Sequence, residues 1–96
     1  MLVLVTYDVS TLDSYGSKRL RKVAKTCVNY GIRVQRSVFE CNVEPHQWEF
    51  FRDELLNIYK SDEDSLRFYF LGSNWKRRVE HHGLAAIVEH DGPMII

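Results

Sequence analysis

The sequence predicts an α+β fold of the ferredoxin-like type, in which a four-stranded antiparallel sheet carries two helices on one face. Apolar runs typical of strands alternate with two stretches of helical periodicity in the order βαββαβ. The chain has 96 residues, of which 45% are hydrophobic and 27% charged, as expected for a single globular domain. We expect residues 1–96 to form that domain, with a core over about 1–72 and a C-terminal extension over about 73–96.

The first strand and the first helix are predicted from contrasting periodicities. Leu2–Tyr7 is a continuous apolar run suited to a central strand, and Asp8 ends it. A basic helix follows, because apolar residues recur at helical spacing over 20–28 while Lys and Arg occupy its other face. Asp13–Ser14 offers the cap at its start. Gly31 is expected to end the helix in the left-handed conformation.

The middle of the chain predicts two strands, a helix and a fourth strand. Ile32–Val43 is long enough for two strands joined by a kink near Arg36–Ser37. Pro45 suits the first position of the second helix. Ser65–Leu71 is an aromatic strand that ends at a glycine. The apolar seam of the second helix consists of Trp48, Phe51, Leu55, Ile58 and Tyr59.

The C-terminal extension is predicted to contain a last strand that is used in dimerisation. It consists of a charged connector followed by the apolar pieces Leu84–Val88 and Met94–Ile96. The predicted fold leaves one sheet face open, and an exposed apolar face is a liability unless it is covered. We therefore expect a homodimer. Pairing of the last strand within its own subunit and pairing across the dimer both remain open at this stage.

Composition narrows the class of protein further. Cys27 and Cys41 lie in apolar stretches without a metal-binding spacing, so they are interpreted as small buried hydrophobes. The longest apolar runs fall far short of the roughly 18 residues that suggest a membrane span. We expect a cytoplasmic protein that has no membrane partner.

Charge is balanced in number but not in position. Thirteen basic and thirteen acidic residues give a formal net charge of zero, yet positions 14–39 contain basic residues and no acid, and a second basic cluster occupies 76–78. Such a block predicts either contacts to nucleic-acid phosphates or the solvated face of an amphipathic helix. The candidate nucleic-acid-binding residues are Lys18, Arg19, Arg21, Lys22, Arg33, Arg36, Lys76, Arg77 and Arg78.

Asp8 is the sharpest chemical feature, because it places a carboxylate at the end of an apolar central strand. One carboxylate rarely holds Mg²⁺ alone, but two copies of Asp8 in a two-fold dimer can bind one ion together with water and a substrate phosphate. Such an ion would activate water against a phosphodiester. The alternative is that Asp8 caps the turn that follows it, together with Ser10.

The aromatic strand suggests a third possibility. The run Arg67-Phe68-Tyr69-Phe70 is similar to the strands on which RNA-binding modules stack bases. Those aromatic residues belong on middle strands, whereas these lie on the last one, so packing in the core is favoured. The histidines show no metal-ligand spacing and are interpreted as surface residues.

Two blocks of sequence carry a resemblance to a known family. The start Leu4–Val9 and the block Gly31–Glu40, at this spacing and chain length, resemble the CRISPR-associated protein Cas-two family. The ending Arg78–His81, followed by Asp91–Pro93, looks like the members that accompany type I-C systems.

The resemblance implies a ferredoxin-like homodimer that joins the Cas-one integrase in acquiring new spacers. It also implies a Mg²⁺-dependent endonuclease, for which Mn²⁺ can substitute, acting on double-stranded DNA in some members and single-stranded RNA in others; double-stranded DNA is favoured here. Asp8 matches the metal-binding aspartate, with Tyr7 beside it, and Arg33 and Phe39 match positions implicated in activity. The alternative is a non-catalytic adaptor that bridges integrase subunits and binds duplex DNA.

Overall fold

The computed structural model describes residues 1–72 and 79–84. These residues form one antiparallel sheet and two helices. The strand order in the sheet is β2-β3-β1-β4-β5, which confirms the predicted α+β fold and adds a fifth strand. The elements are β1 (Leu2–Asp8), α1 (Ser14–Val28), β2 (Ile32–Gln35), β3 (Val38–Asn42), α2 (Pro45–Ile58), β4 (Ser65–Leu71) and β5 (Val79–Gly83).

Strand β1 is the centre of the sheet and divides its residues between two faces. Val5 pairs with Phe39 of β3 and with Phe68 of β4, and all three are fully buried. Because side chains alternate along a strand, the odd positions of β1 pack under the helices. The even positions face the opposite side of the sheet, which neither helix covers, and we call this side the open face.

Helix α1 begins as the sequence predicts and ends differently. Asp13 caps its start, since its Oδ1 accepts a hydrogen bond of 2.8 Å from the amide of Gly16. The helix ends at Val28, with Asn29 still in the right-handed helical conformation. The predicted left-handed Gly31 is wrong, because positive φ angles occur among the described glycines only at Gly72 and Gly83.

Gly31 is needed for close packing rather than for its backbone angle. A Cβ at this position would lie 2.4 Å from Sγ of Cys41 and 2.5 Å from the carbonyl oxygen of Glu40. Gly31→Ala is therefore expected to destabilise the domain by about 1–3 kcal/mol, the usual cost of overpacking. Asn29→Ala, at an exposed position two residues earlier, is the control. Equal melting temperatures for the two variants would contradict the prediction.

Helix α2 starts at Pro45 as predicted and presents its apolar seam to the sheet. The Trp48 ring meets Phe68 and Phe70 edge-on, with centroids 4.9 Å and 5.4 Å apart. The aromatic residues of β4 that face the helices are therefore core residues. This confirms the interpretation that these residues pack in the core. Phe68 is fully buried, so its ring is not accessible for stacking on RNA bases.

Strand β5 is the main difference from the sequence-based expectation, which treated this segment as a charged connector. Phe68 of β4 pairs with Glu80, and Arg52 of α2 donates a hydrogen bond of 2.7 Å from Nε to Glu80 Oε2. The same carboxylate oxygen contacts Nε2 of His82. The strand has few apolar residues, so its pairing with β4 and the ion pair to α2 define it rather than hydrophobic alternation. Its five residues extend the sheet of their own chain.

Several predictions fall on parts of the chain that the structure does not describe. The basic cluster Lys76, Arg77 and Arg78 lies outside the described residues, as do positions 85–96 with most of the apolar pieces assigned to dimerisation. Cys27 and Cys41 are both buried, as predicted, and burial raises the pKa of the Cys41 thiol to about 11. Within the described ranges, neither helix is long and apolar enough to cross a bilayer.

Candidate functional site

Asp8 is the last residue of the central strand and is exposed. It pairs with Ser65 of β4, and its position in the strand alternation places it on the open face. Across residues 1–72 and 79–84, no hydrogen bond or ion pair engages its carboxylate. A rigid strand thus presents a carboxylate that the fold itself does not use.

The turn after β1 is held by a different carboxylate. The amide of Ser10 donates to Oδ1 of Asp64 at 3.0 Å, and the amide of Lys60 donates to Oδ2 at 2.8 Å. The alternative interpretation, in which Asp8 caps this turn with Ser10, is therefore wrong. Asp64 caps the turn from 54 positions after Ser10 in the chain, and the Asp8 carboxylate is left available.

Asp64 also binds Arg19, which the sequence placed among the nucleic-acid-binding residues. Arg19 donates from Nε to Asp64 Oδ2 at 2.8 Å and from Nη2 to Oδ1 at 3.2 Å, with a further contact to Glu63 at 3.1 Å. The Asp64 side chain is fully buried, and that of Arg19 is 14% exposed. The guanidinium is therefore engaged in an internal ion pair, apart from the exposed basic residues of α1.

The electrostatics of Asp64 follow from these contacts. Burial raises the pKa of the carboxyl, but the hydrogen bonds from Arg19, Lys60 and Ser10 outweigh burial and hold the pKa below its ordinary value. Sequence reasoning missed this residue because the run from Ser61 to Asp64 is typical of a solvated turn. Its burial depends on contacts that lie far away in the sequence.

Tyr7 and Phe39 belong to the core beneath the helices. Their rings stack with centroids 6.2 Å apart, Phe39 is fully buried, and Tyr7 is 6% exposed. Burial raises the pKa of Tyr7, while a hydrogen bond from Arg33 partly offsets that rise. The structure thus gives both aromatic rings a packing role, and a direct part for them in catalysis stays a prediction.

Arg33 lies beside these rings at the edge of the sheet. Its Cζ is 5.0 Å from the centroid of Phe39, close enough for a cation–π contact. With Arg21 and Arg36 it lines a cleft of about 510 Å³ whose other walls come from Tyr7, Leu20, Ala24 and Ser37. No acid of the described ranges lines this cleft. The three arginines therefore form a cationic notch between α1 and the edge strand β2.

The structure does not gather the predicted catalytic residues into one constellation. Tyr7 and Phe39 pack under the helices, whereas Asp8 faces the other side of the sheet. Residues 7 and 8 are neighbours in the chain, and strand alternation separates their side chains. The sequence already indicated that the side chains of Tyr7 and Asp8 lie on opposite faces, because they are adjacent residues of a strand.

A second cationic surface runs along the outer face of α1. Its four exposed residues, Lys18, Arg21, Lys22 and Lys25, line one shallow groove. None of them forms an ion pair with another described residue. We call this set the α1 basic row. It confirms an exposed basic face in the first half of the chain, and binding of nucleic acid to it stays a prediction.

The donors available to a metal ion are few. No group of three or more His, Cys, Asp or Glu side chains in the described part of the chain is arranged to hold one. Asp8 offers a single exposed carboxylate. Such a donor fits Mg²⁺, which binds through one or two carboxylates and keeps waters and substrate phosphate as its other ligands. A complete site within one subunit is not what these residues provide.

The family model that matches this chain and two of its relatives all carry the name Cas2. The family model for "CRISPR associated protein Cas2" matches residues 1–79. A protein of Chlorobaculum tepidum, named CRISPR-associated endoribonuclease Cas2, is 59% identical over 96 residues and covers 100% of both chains. A protein of Halalkalibacterium halodurans, named CRISPR-associated endonuclease Cas2, is 52% identical over 95 residues, or 99% of both chains.

The fold has a counterpart among solved structures. The crystal structure of Streptococcus pyogenes Cas2 at pH 6.5 superposes with a TM-score of 0.70 and 57% sequence identity. The match covers 83% of this chain and 96% of that one. The sheet and both helices described above are therefore shared with a solved protein of high sequence similarity.

Proposed function

Because this chain belongs to the Cas2 family of CRISPR-associated proteins, we propose that it is a metal-dependent endonuclease whose reaction takes place at Asp8. The observation that carries this proposal is the exposed Asp8 carboxylate. It stands at the end of the central strand on the open face, and the turn after the strand is capped by Asp64 and not by Asp8. An exposed carboxylate held on a rigid strand can serve as a ligand for a hard cation such as Mg²⁺.

Asp8 would hold the ion. The positive charge of the ion would also orient the phosphodiester. Mg²⁺ bound there would supply positive charge to the phosphate and would lower the pKa of a bound water. In hydrolysis the oxygen of a water molecule adds to phosphorus and its proton passes to solvent, while the bond to one ester oxygen breaks as that oxygen takes a proton from solvent. The chain's own contribution is to fix one carboxylate on a strand that is paired on both sides.

Two subunits are needed to bring a second carboxylate to this site. The open face carries exposed apolar side chains, among them Leu2 at 37%, Ile32 at 73% and Leu71 at 39%. Burying such a face against a second copy removes apolar surface from water. Leu2 and Leu71 lie at the end of the sheet opposite Asp8, so a two-fold homodimer formed in this way would bring the two copies of Asp8 to the border of one interface, where substrate still reaches them.

The names of the relatives do not agree on whether the substrate is RNA, so the substrate class needs a direct test. The protein of C. tepidum is named an endoribonuclease and that of H. halodurans an endonuclease. We propose double-stranded DNA as the preferred substrate, because the α1 basic row provides several adjacent cations without an acid.

Purified protein is incubated with labelled duplex DNA and single-stranded RNA, with Mg²⁺ or with EDTA. Cleavage of RNA alone would reverse the substrate assignment, and cleavage that persists in EDTA would contradict the metal.

A second candidate function is a non-catalytic adaptor that joins the Cas-one integrase and holds duplex DNA. The α1 basic row favours it, since positions 18 to 25 place cations on one helix face over about 10 Å. Phosphate contacts position a protein on duplex DNA without reading its sequence. Cleavage at Asp8 and DNA binding on α1 use different surfaces, so both functions can belong to one protein.

Charge reversal of the α1 basic row is expected to weaken DNA binding strongly and to reduce its salt dependence. Each lost phosphate contact lowers the slope of log K against log salt by about 0.9. Lys18→Glu with Lys22→Glu is compared with Lys60→Glu, which alters an exposed lysine that is not part of α1. Spacer insertion in cells should fail with the double variant and survive Asp8→Ala if the adaptor role operates. Unchanged binding by the double variant would contradict the α1 surface.

A further inference from the structure

Arg67 lies on the open face, in the row of residues next to Asp8. Thr6 of β1 pairs with Arg67 of β4, which in turn pairs with His81 of β5. Asp8 pairs with Ser65, two residues before Arg67 on the same strand. Residues two apart on a strand share a face, and diagonal neighbours on adjacent strands have Cα atoms roughly 7–8 Å apart. An arginine side chain easily spans that distance.

The guanidinium of Arg67 is not committed to any acid. Its Nε is buried and has no hydrogen-bond partner among the described residues, and the ion pairs of residues 1–72 and 79–84 do not include it. Its Cζ lies 5.8 Å from the centroid of the Tyr69 ring. That distance is close to the outer limit of about 6 Å for a cation–π contact, so the contact is weak.

The residue directly opposite Arg67 is a histidine instead of an acid. Nε2 of His81 is 2.7 Å from the carbonyl oxygen of Leu84, and a carbonyl only accepts, so Nε2 carries the hydrogen. The other ring nitrogen, Nδ1, is also buried without a partner in the described structure. Buried polar atoms left unpaired are rare in folded proteins and call for an explanation.

We propose that Arg67 is a second catalytic residue of the site at Asp8, where its guanidinium contacts the non-bridging oxygens of the phosphate being cleaved. This inference rests on the proposed nuclease function. Negative charge on those oxygens grows as water attacks, and a guanidinium already held nearby stabilises that charge. Arg67 forms no covalent bond and transfers no proton. To reach the phosphate it gives up the weak contact with Tyr69 by rotating its side-chain torsions.

The geometry also explains what Asp8 alone lacks. Mg²⁺ held by Asp8 would attract the phosphate, but the carboxylate itself repels the phosphate oxygens, so a cationic side chain beside it adds to the stabilisation. Arg67 supplies that cation, and its planar fork of N–H donors matches two phosphate oxygens at once. The remaining ionisable residues of the open face in the described ranges are Glu40, Tyr69 and His81, none of which is a permanent cation.

The test compares Arg67→Met, which keeps the aliphatic stem, with Arg67→Lys, which keeps the charge and loses the fork. Arg67→Met is expected to lower kcat by about 10²-fold or more while substrate binding in EDTA changes much less. Arg67→Lys is expected to recover part of that loss. Lys60→Met is the control for the removal of a surface cation. Sedimentation and thermal melting are measured for every variant, so that loss of assembly or folding is detected independently of activity.

The outcomes separate this inference from the proposed function. Cleavage by the wild type and by Arg67→Met at equal rates would overturn the inference and leave the nuclease standing. A rise in Kd without a fall in kcat would make Arg67 a binding residue, and dissociation into monomers would make it an interface residue, so either result also overturns the inference. A wild type that does not cleave in Mg²⁺ would overturn both.

Discussion

Replacing Asp8 with alanine is expected to reduce cleavage by at least about 10²-fold and to leave folding unchanged. The activity falls because the only exposed carboxylate at the end of the central strand is removed, together with the charge that would hold the ion. Stability is retained because no described residue bonds to this side chain, and surface substitutions of that kind usually change unfolding free energy by less than about 0.5 kcal/mol. The measurement is cleavage of labelled DNA and RNA in a Mg²⁺ series, with thermal melting in parallel.

Asp53→Ala is the matched control, since Asp53 is an exposed carboxylate on α2 outside the open face. It should cleave as the wild type does. Asp8→Asn adds a second comparison, because it retains the size of the side chain and removes its charge. If Asp8→Ala cleaves as fast as the wild type, Asp8 is no part of a nuclease, and the adaptor function becomes the better account of the protein.

Asp64→Ala is expected to destabilise the domain by about 3–5 kcal/mol, a large part of the stability of a small domain. The substitution leaves the guanidinium of Arg19 only 14% exposed and without its main partner. It also removes the acceptor of the Ser10 and Lys60 amides. Thermal melting measures the effect, since 1 kcal/mol corresponds to about 4–8 °C in a domain of this size.

The same carboxylate makes stability depend on pH in a defined direction. The pKa of Asp64 is lower in the folded chain than its ordinary value of 3.8, so the folded state binds fewer protons between the two values. Its contribution to stability is complete above the ordinary pKa and is lost as the pH falls through the folded pKa. Denaturant unfolding from pH 6 downward should show a steeper loss in the wild type than in Asp64→Ala.

Asp62→Ala is the control for the Asp64 experiments, because Asp62 is an exposed residue of the same turn. It should melt within a few degrees of the wild type. A double-mutant cycle with Arg19→Met isolates the ion pair, and the coupling between the two substitutions should be of the order of 1–3 kcal/mol. Additive effects would show that Asp64 acts through the two amides alone.

Most of the secondary structure was predictable because its signals are local. The apolar run that ends at Asp8 gives β1, and Pro45 with the apolar seam after it gives α2. Asp13 caps α1 within one turn of its own position. Strand β5 was missed because Val79–Gly83 has neither an apolar run nor clean alternation, and its pairing with β4 defines it.

The candidate site was predictable only in its central residue. Asp8 follows from a charged residue at the end of a buried strand, whereas Arg67 was seen in sequence only as part of an aromatic run. Its place beside Asp8 depends on the register between β1 and β4. Tyr7 and Phe39 were grouped with Asp8 by resemblance, and the structure places them on the opposite face.

The sequence by itself determined where the first four strands and both helices form, which side chains fill the core, and that one carboxylate ends the central strand, because periodicity and end signals act over a few residues. Only the tertiary structure decided which charges are free. Arg19 and Asp64 are 45 positions apart in the chain and pair inside it, while the neighbouring basic residues of α1 stay exposed. In the sequence, a buried and paired arginine looks the same as an exposed one. Its role depends on whether the fold brings an acidic partner within about 3 Å, as it does for Arg19.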